Sequence, residues 1–283
     1  MSWQILIGIS VLLFSVNSLF HRVLMKDEKS DPYAQTVAFY GLGAVCAFII
    51  AILRGGFHYQ ISPNQLPLFF LLVIFATSAP VLIFKALKLI ESSESTIVLS
   101  SQKLWIVLGA FIFLHEAFST QKLLGTIIIL IGIAIAQWRN QKFVINKGIV
   151  FVLLSALSYA IGDIISFYIL RDFDAASFTV YLCIIPVITL LILRPKTIRN
   201  LVFYSRPKYA LSITAVSIND TVATLAMYVA YQVGRNASQI APITATQTII
   251  SVLLAILILK ERNYMPQKIL GAFIVVGGVM LVL

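Results

Sequence analysis

The sequence predicts an all-α membrane protein, with ten transmembrane helices arranged as two inverted five-helix repeats, and three observations carry that expectation. Of its 283 residues, 60% are hydrophobic and only 11% are charged, against about 45–50% and about 25% in soluble domains, which is too little charge to cover a water-facing surface. The apolar residues fall into ten runs, most near the ~20 residues that cross a bilayer. The second half of the chain also repeats the first.

The runs cover residues 3–25, 34–53, 66–90, 94–115, 121–138, 148–170, 175–193, 208–233, 237–260 and 267–283. Polar punctuation divides them: Lys26-Asp27-Glu28-Lys29-Ser30-Asp31-Pro32 after the first, Arg54-Gly55-Gly56 after the second, and Arg194 to Lys208 after the seventh. The first run lacks a basic leader and a small-residue cleavage site, so it is expected as a retained helix. Backbone groups in lipid must be bonded within their own segment. No alternating barrel pattern is present, so each run is expected as a helix. Trp3 and Trp138 stand at run ends as interfacial aromatics do, while Trp105 sits mid-run as packing.

The repeat is carried by polar residues. Gln121-Lys122-Leu123-Leu124-Gly125 returns as Gln267-Lys268-Ile269-Leu270-Gly271, and Leu114 and Glu116 return as Leu259 and Glu261. At the latter shift Ser93, Gln102, Val107, Leu108 and Ala110 match Ser238, Gln247, Val252, Leu253 and Ala255, giving seven identities over residues 93–116 and 238–261. The displacement is half the chain, which divides it into repeats at 1–139 and 147–283. Each repeat has an odd number of spans, so the second enters the membrane from the opposite side. Such inverted repeats place a binding site at the midplane between two halves that can rock.

Two five-helix halves, each closing with a short Glu-containing loop and a Gln-Lys-x-Leu-Gly helix start, resemble the drug/metabolite transporter superfamily and, within it, the EamA-type carriers. The resemblance covers essentially the whole chain. It implies a bundle with a central cavity lined mainly by helices 1, 3, 4, 6, 8 and 9, and a fifth helix of each half at the periphery. It also implies secondary transport, with members exporting amino acids, other metabolites or toxic compounds. The chain departs from the four-helix multidrug relatives in having no Glu in its first helix, so their proton mechanism does not carry over.

The net charge of +10 lies mostly at run ends and makes no basic, aromatic-laced surface, so no nucleic-acid partner is expected. Of 21 Lys and Arg, sixteen fall on the odd-numbered connections and four on the even ones. The positive-inside rule then puts the odd connections in the cytoplasm and the termini outside, whereas the resemblance implies the reverse. Cys46 and Cys183 are single residues in apolar runs and read as small hydrophobes, with no metal cluster or disulfide framework. No phosphate-loop or His-Glu-x-x-His motif occurs. Gly162-Asp163 with Asp220 faintly resembles an intramembrane aspartyl protease, but Ile161 stands where that motif wants Gly. No enzyme activity, cofactor or metal is expected.

Charges within a span are costly and mark functional candidates. Lys103 and Asp220 lie near the middle of their runs, Lys103 on a face with Ser92, Thr96 and Ser100, and Asp220 on one with Ser217, Thr224, Tyr228 and Tyr231. Either Lys103 holds an anionic group while Asp220 pairs with it or takes a proton, or the two form a structural ion pair. Asp163 shares a face with Ser155, Tyr159 and Ser166, and its repeat mate is Asn17, on a face with Ser10 and His21. Gln102 and Gln247 are repeat mates, the latter beside Thr244 and Ser251. The substrate-binding candidates are thus Lys103, Asp220, Asp163, Asn17, Gln102, Gln247, Tyr159, Ser100 and Thr224, with Asp220 and Asp163 as proton-coupling candidates. His21 and Arg22 are expected to be solvated, as is the charged helix end of Lys85, Lys88, Glu91 and Glu94. Pro80, Pro186 and Pro242 should free backbone carbonyls at mid-depth. Gly125, Gly132, Gly271, Gly277 and Gly278 should allow close packing of the last helix of each repeat.

These residues point to a secondary transporter, most simply an exporter, that moves a small polar or amphipathic solute by alternating access in a prokaryotic cell membrane. Its partners are the solute and the bilayer, with protons as one coupling option, in a monomer or homodimer. A channel-like pore and a ligand-binding membrane sensor are the alternatives.

Overall fold

The apolar runs fold as helices packed into one bundle. A computed structural model describes residues 2–114, 120–136, 138–139, 142–143, 145–234, 237–261 and 263–282. The first half contains α1 (Trp3–Met25), α2 (Pro32–Leu53), α3 (Leu66–Leu89), α4 (Ser92–Leu99), α5 (Gln102–Leu114) and α6 (Thr120–Ala136). The second contains α7 (Lys147–Ile169), α8 (Ala175–Leu193), α9 (Thr197–Leu201), α10 (Pro207–Gly234), α11 (Ala237–Ile258) and α12 (Met265–Val282). Among the described residues six helices are long and apolar enough to cross a membrane, namely α1, α2, α3 with its preceding turn, α7, α8 and α10, and shorter apolar helices pack with them.

Helix starts follow local chemistry. Asp31 accepts from the amides of Tyr33 and Ala34 at the start of α2, with Pro32 in the first turn. Asn146 and Asp174 cap α7 and α8 in the same way. The run 94–115 departs from expectation: it breaks at Ser100-Ser101 into α4 and α5, with the Lys103 amide bonding to Ser100 O one residue short of the helical register. Serine hydroxyls compete for nearby backbone groups, and the Ser100 hydroxyl donates back to Thr96 O at 3.1 Å. The short helix α9 and a two-residue antiparallel pairing of Trp138–Arg139 with Lys142–Phe143 occupy connections between the runs.

Helix packing is exchanged between the halves. α3 lies on α7 as α1 lies on α10, and α1 meets α11 as α7 meets α4 and α5. α6 pairs with α12 and α2 with α8, each helix with its own counterpart. The α6–α12 contact is close because a Cβ on Gly271 would meet Gly132 O at 2.7 Å, and one on Gly278 would meet Gly125 O at 2.8 Å. Gly277 is a correction, since nothing lies within 4 Å of its Cβ position. Large apolar side chains such as Leu12, Leu53, Phe70, Ile192, Leu211 and Leu257 face outward, the inverse of a soluble surface.

One end of the bundle gathers the basic connections. Tyr209 donates to Asp27 and Asn200 to Asp31. Lys88 reaches the carbonyls of Glu28 and Ser30, and the Arg194 guanidinium lies 4.1 Å from the Tyr33 ring centroid.

Candidate functional site

Between the two halves lies a cavity of about 250 Å3. Both halves line it: α1, α2, α3, α4 and α5 from the first, and α7, α8, α10 and α11 from the second. No described residue of α6 or α12 takes part. Compared with the expected helix set, α2 and α8 are additional, through Phe39, Tyr40, Thr179, Leu182 and Cys183. Pro80 and Pro186 are buried inside α3 and α8. Neither can donate to the carbonyl four residues earlier, so those of Ala76 and Leu182 lose their helical partners. Ala76 and Leu182 both line the cavity. The side chain of Pro242 lies outside the described residues.

Eight of the nine sequence candidates reach the cavity: Lys103, Asp220, Asp163, Asn17, Gln102, Gln247, Tyr159 and Thr224. Ser100 does not, because its hydroxyl is shared with the Thr248 hydroxyl at 2.7 Å, tying the helix break to α11. Gln102 Nε2 donates to Asp163 Oδ2 at 2.6 Å. Asn17 Nδ2 donates to Asp220 Oδ1 at 2.6 Å, and Asn17 Oδ1 accepts from Asn219 at 2.6 Å. The expected pairing of Lys103 with Asp220 is corrected. Lys103 lines the cavity with Asp163 and Asp220, but the described ion pairs are Arg22–Glu261 and Glu91–Lys268. The half-helix geometry explains this, since the break at Ser100-Ser101 turns Lys103 and Gln102 together toward α7.

Several polar faces read from the sequence divide differently in three dimensions. Ser155 donates to Ala79 O and joins α7 to α3, and Ser217 bonds back to Ile213 O. Tyr231 packs on Phe167 with centroids 4.3 Å apart. His21 is buried and not solvated: its ring meets Phe39 and Phe84 at 4.7 Å each, Gln35 Nε2 lies 3.0 Å from Nδ1, and it lines the cavity. Arg22 donates to Leu87 O and lies 4.0 Å from Glu261. Glu94 is buried, and Glu91 pairs with Lys268. Lys85 sits 4.8 Å from the Tyr33 ring centroid. The sequence reading missed Tyr40, which lines the same cavity as Tyr159 and Asp220. Tyr40 lies in an apolar run with no polar periodicity around it, so nothing local marked it.

Two clusters of different chemistry pack beside the helices that line the cavity. At the basic end, Glu261 follows α11 and accepts from the Ser92 amide at 3.0 Å, the Ser93 amide at 2.9 Å and the Ser93 hydroxyl at 2.8 Å. It thereby caps α4 from the other half of the molecule, where a carboxylate suits the positive end of a helix. The repeat had marked Glu261 without revealing its partner, and its mate Glu116 lies outside the described residues. At the opposite end Phe69, Phe173, Phe178 and Tyr181 pack together, and Phe178 continues to the cavity residue Tyr228 at 5.6 Å.

A helical bundle with an apolar exterior, two exchanged halves and a polar cavity between them has the architecture of a multi-pass membrane transporter. The chain belongs to the EamA-like transporter family of the drug/metabolite transporter superfamily, whose profile matches residues 1–137 and again 146–283. One solved crystal structure superposes on 99% of this chain and 95% of its own length, with a TM-score of 0.70 at 15% identity, a likeness of fold alone. No curated protein matches the sequence.

Proposed function

We propose that the protein is a secondary carrier that exports a small organic solute by alternating access. The observation that carries this reading is the cavity between the halves, where carboxylates, amides and Lys103 from both halves converge at a broken helix. Half-helix ends at mid-depth are where carriers of inverted-repeat design hold their solutes. In this reading α4 and α5 form one broken span, the bundle crosses the membrane ten times, and the repeats at 1–139 and 147–283 are the moving bodies. Family membership supports transport, and the resemblance supports export. Asp220, and after it Asp163, are the carboxylates through which protons would couple to transport. The cavity lies within one chain, so a monomer suffices as the working unit.

Counterflow tests this in proteoliposomes of the purified chain, preloaded with a metabolite mixture and diluted into labelled solutes. Transient uphill accumulation of one solute is expected. Equilibration without overshoot would mean a pore, and solute binding without movement a sensor. Asp220→Asn is expected to lower the overshoot rate by about tenfold or more, in line with about 1.5–3 kcal/mol for a hydrogen bond to a charged group. An unchanged rate and pH profile in folded Asp220→Asn would remove the proton assignment.

A further inference from the structure

The charges around the cavity do not balance. Among the described residues that line it stand two carboxylates, Asp163 and Asp220, and one ammonium, Lys103; Asp163 accepts from the Gln102 amide and Asp220 from the Asn17 amide. One carboxylate therefore stands in excess. The cavity it faces is aromatic, with Tyr40, Tyr159, Phe14, Phe39, Phe75 and Phe84 in its lining. Ring faces attract ammonium groups, an attraction that strengthens when water is excluded.

Other ligand classes fit less well. An anion would meet Asp220 uncompensated. A zwitterion would bring a second carboxylate to a site whose one lysine is already matched by Asp163. A bare metal ion wants six or more oxygen ligands, whereas Asn17 presents its N–H side to Asp220 and its oxygen is occupied by Asn219. Among the described residues no cluster of three His, Cys, Asp or Glu is placed for a metal. The cavity volume of about 250 Å3 lies below the ~300–1,000 Å3 of drug-sized pockets, which limits the ligand to roughly one ring or a short chain.

We propose that the solute is a small organic monocation, with its ammonium held by Asp220 beside the rings of Tyr40 and Tyr159 and its apolar part among the cavity phenylalanines. The inference rests on the carrier reading for the word solute, but the binding site stands on its own geometry. It makes Asp220 the residue that selects charge and leaves Lys103 and Asp163 as a neutral wall.

Three probes of like shape separate the charge classes: 2-phenylethylamine as the cation, phenylalanine as the zwitterion and 3-phenylpropionate as the anion. Calorimetric titration of the purified full-length chain at neutral pH is expected to show the amine binding at least tenfold tighter than either other probe. Asp220→Asn should lose that preference, and Asp220→Glu should retain it. Monodisperse elution and an unfolding midpoint near that of the unsubstituted chain qualify each variant. Tighter binding of the anion or zwitterion, no binding of the amine, or an amine affinity unchanged in folded Asp220→Asn would each overturn the proposal. The same probes in counterflow separate this from the carrier reading. Overshoot with a non-cationic solute alone keeps the carrier and rejects the cation, whereas amine binding with no overshoot of any solute keeps the site and rejects the carrier.

Discussion

Asn17 is held from two sides, and that fixes what it can offer. Its oxygen accepts from Asn219, so its N–H must point at Asp220. Replacing it with Leu leaves the carboxylate without its donor. Asn17→Leu is expected to cost about 1–3 kcal/mol, read as a lower midpoint of thermal unfolding in detergent. At the rim, the Tyr209 hydroxyl and the Lys29 amide hold the Asp27 carboxyl below the usual carboxylate range. A carboxylate depressed in the folded state adds stability above its unfolded value of about 3.9 and loses that stability as pH falls through the folded one. Tyr209→Phe should therefore move the acid-unfolding midpoint upward in pH, and an unmoved midpoint would show that the contact contributes nothing. Asp163, Asp220 and Lys103 were legible in the sequence because a charge in the middle of a lipid-length run is too costly to stand there idle. Tyr40 and His21 were not, because their environments come from α7 in one case and from α2 and α3 in the other.

At the scale of elements, the break between α4 and α5 and the cap supplied by Glu261 belong together. A short helix that starts at the cavity rim has unpaired amides at its N-terminus, and here the other half of the chain satisfies two of them. Glu261→Ala is expected to destabilise the fold by about 1–3 kcal/mol, the cost of leaving buried donors unmet. Glu261→Gln should recover part of that, since the amide oxygen still accepts. Thermal unfolding of both variants measures it, and equal midpoints for Ala and the unsubstituted chain would deny the cap any role. Hydrophobicity and the repeat made the existence of these helices readable. The break was not readable, because two serines carry no breaker signal of the Pro or Gly kind, and it emerges only when Ser100 finds Thr248 across the bundle. For the same reason Arg22, Glu91 and Glu94 read as solvated, whereas packing half-buries the first two and buries Glu94.

For the whole molecule, the asymmetry of charge is the feature with the largest reach. The basic connections 26–31, 85–93 and 194–209 meet at one end, tied by Asp27, Asp31, Ser30 and Tyr33. Positive-inside bias predicts that this end is cytoplasmic. A cysteine in place of the exposed Ser205, in a chain with Cys46 and Cys183 replaced by Ala, should react with an impermeant maleimide in inside-out vesicles and be silent in intact cells. The opposite pattern would reverse the orientation. The aromatic cluster and the charged cluster beside the cavity have a consequence of their own. Separating Phe69, Phe173 and Phe178 wets apolar surface, which raises heat capacity and makes the strength of that packing strongly temperature-dependent. Parting Glu261 from Arg22 and the start of α4 frees ions, whose attraction is weakened by dissolved salt. Two halves of like fold thus carry clusters that answer to different variables, warmth at the aromatic one and ionic strength at the charged one.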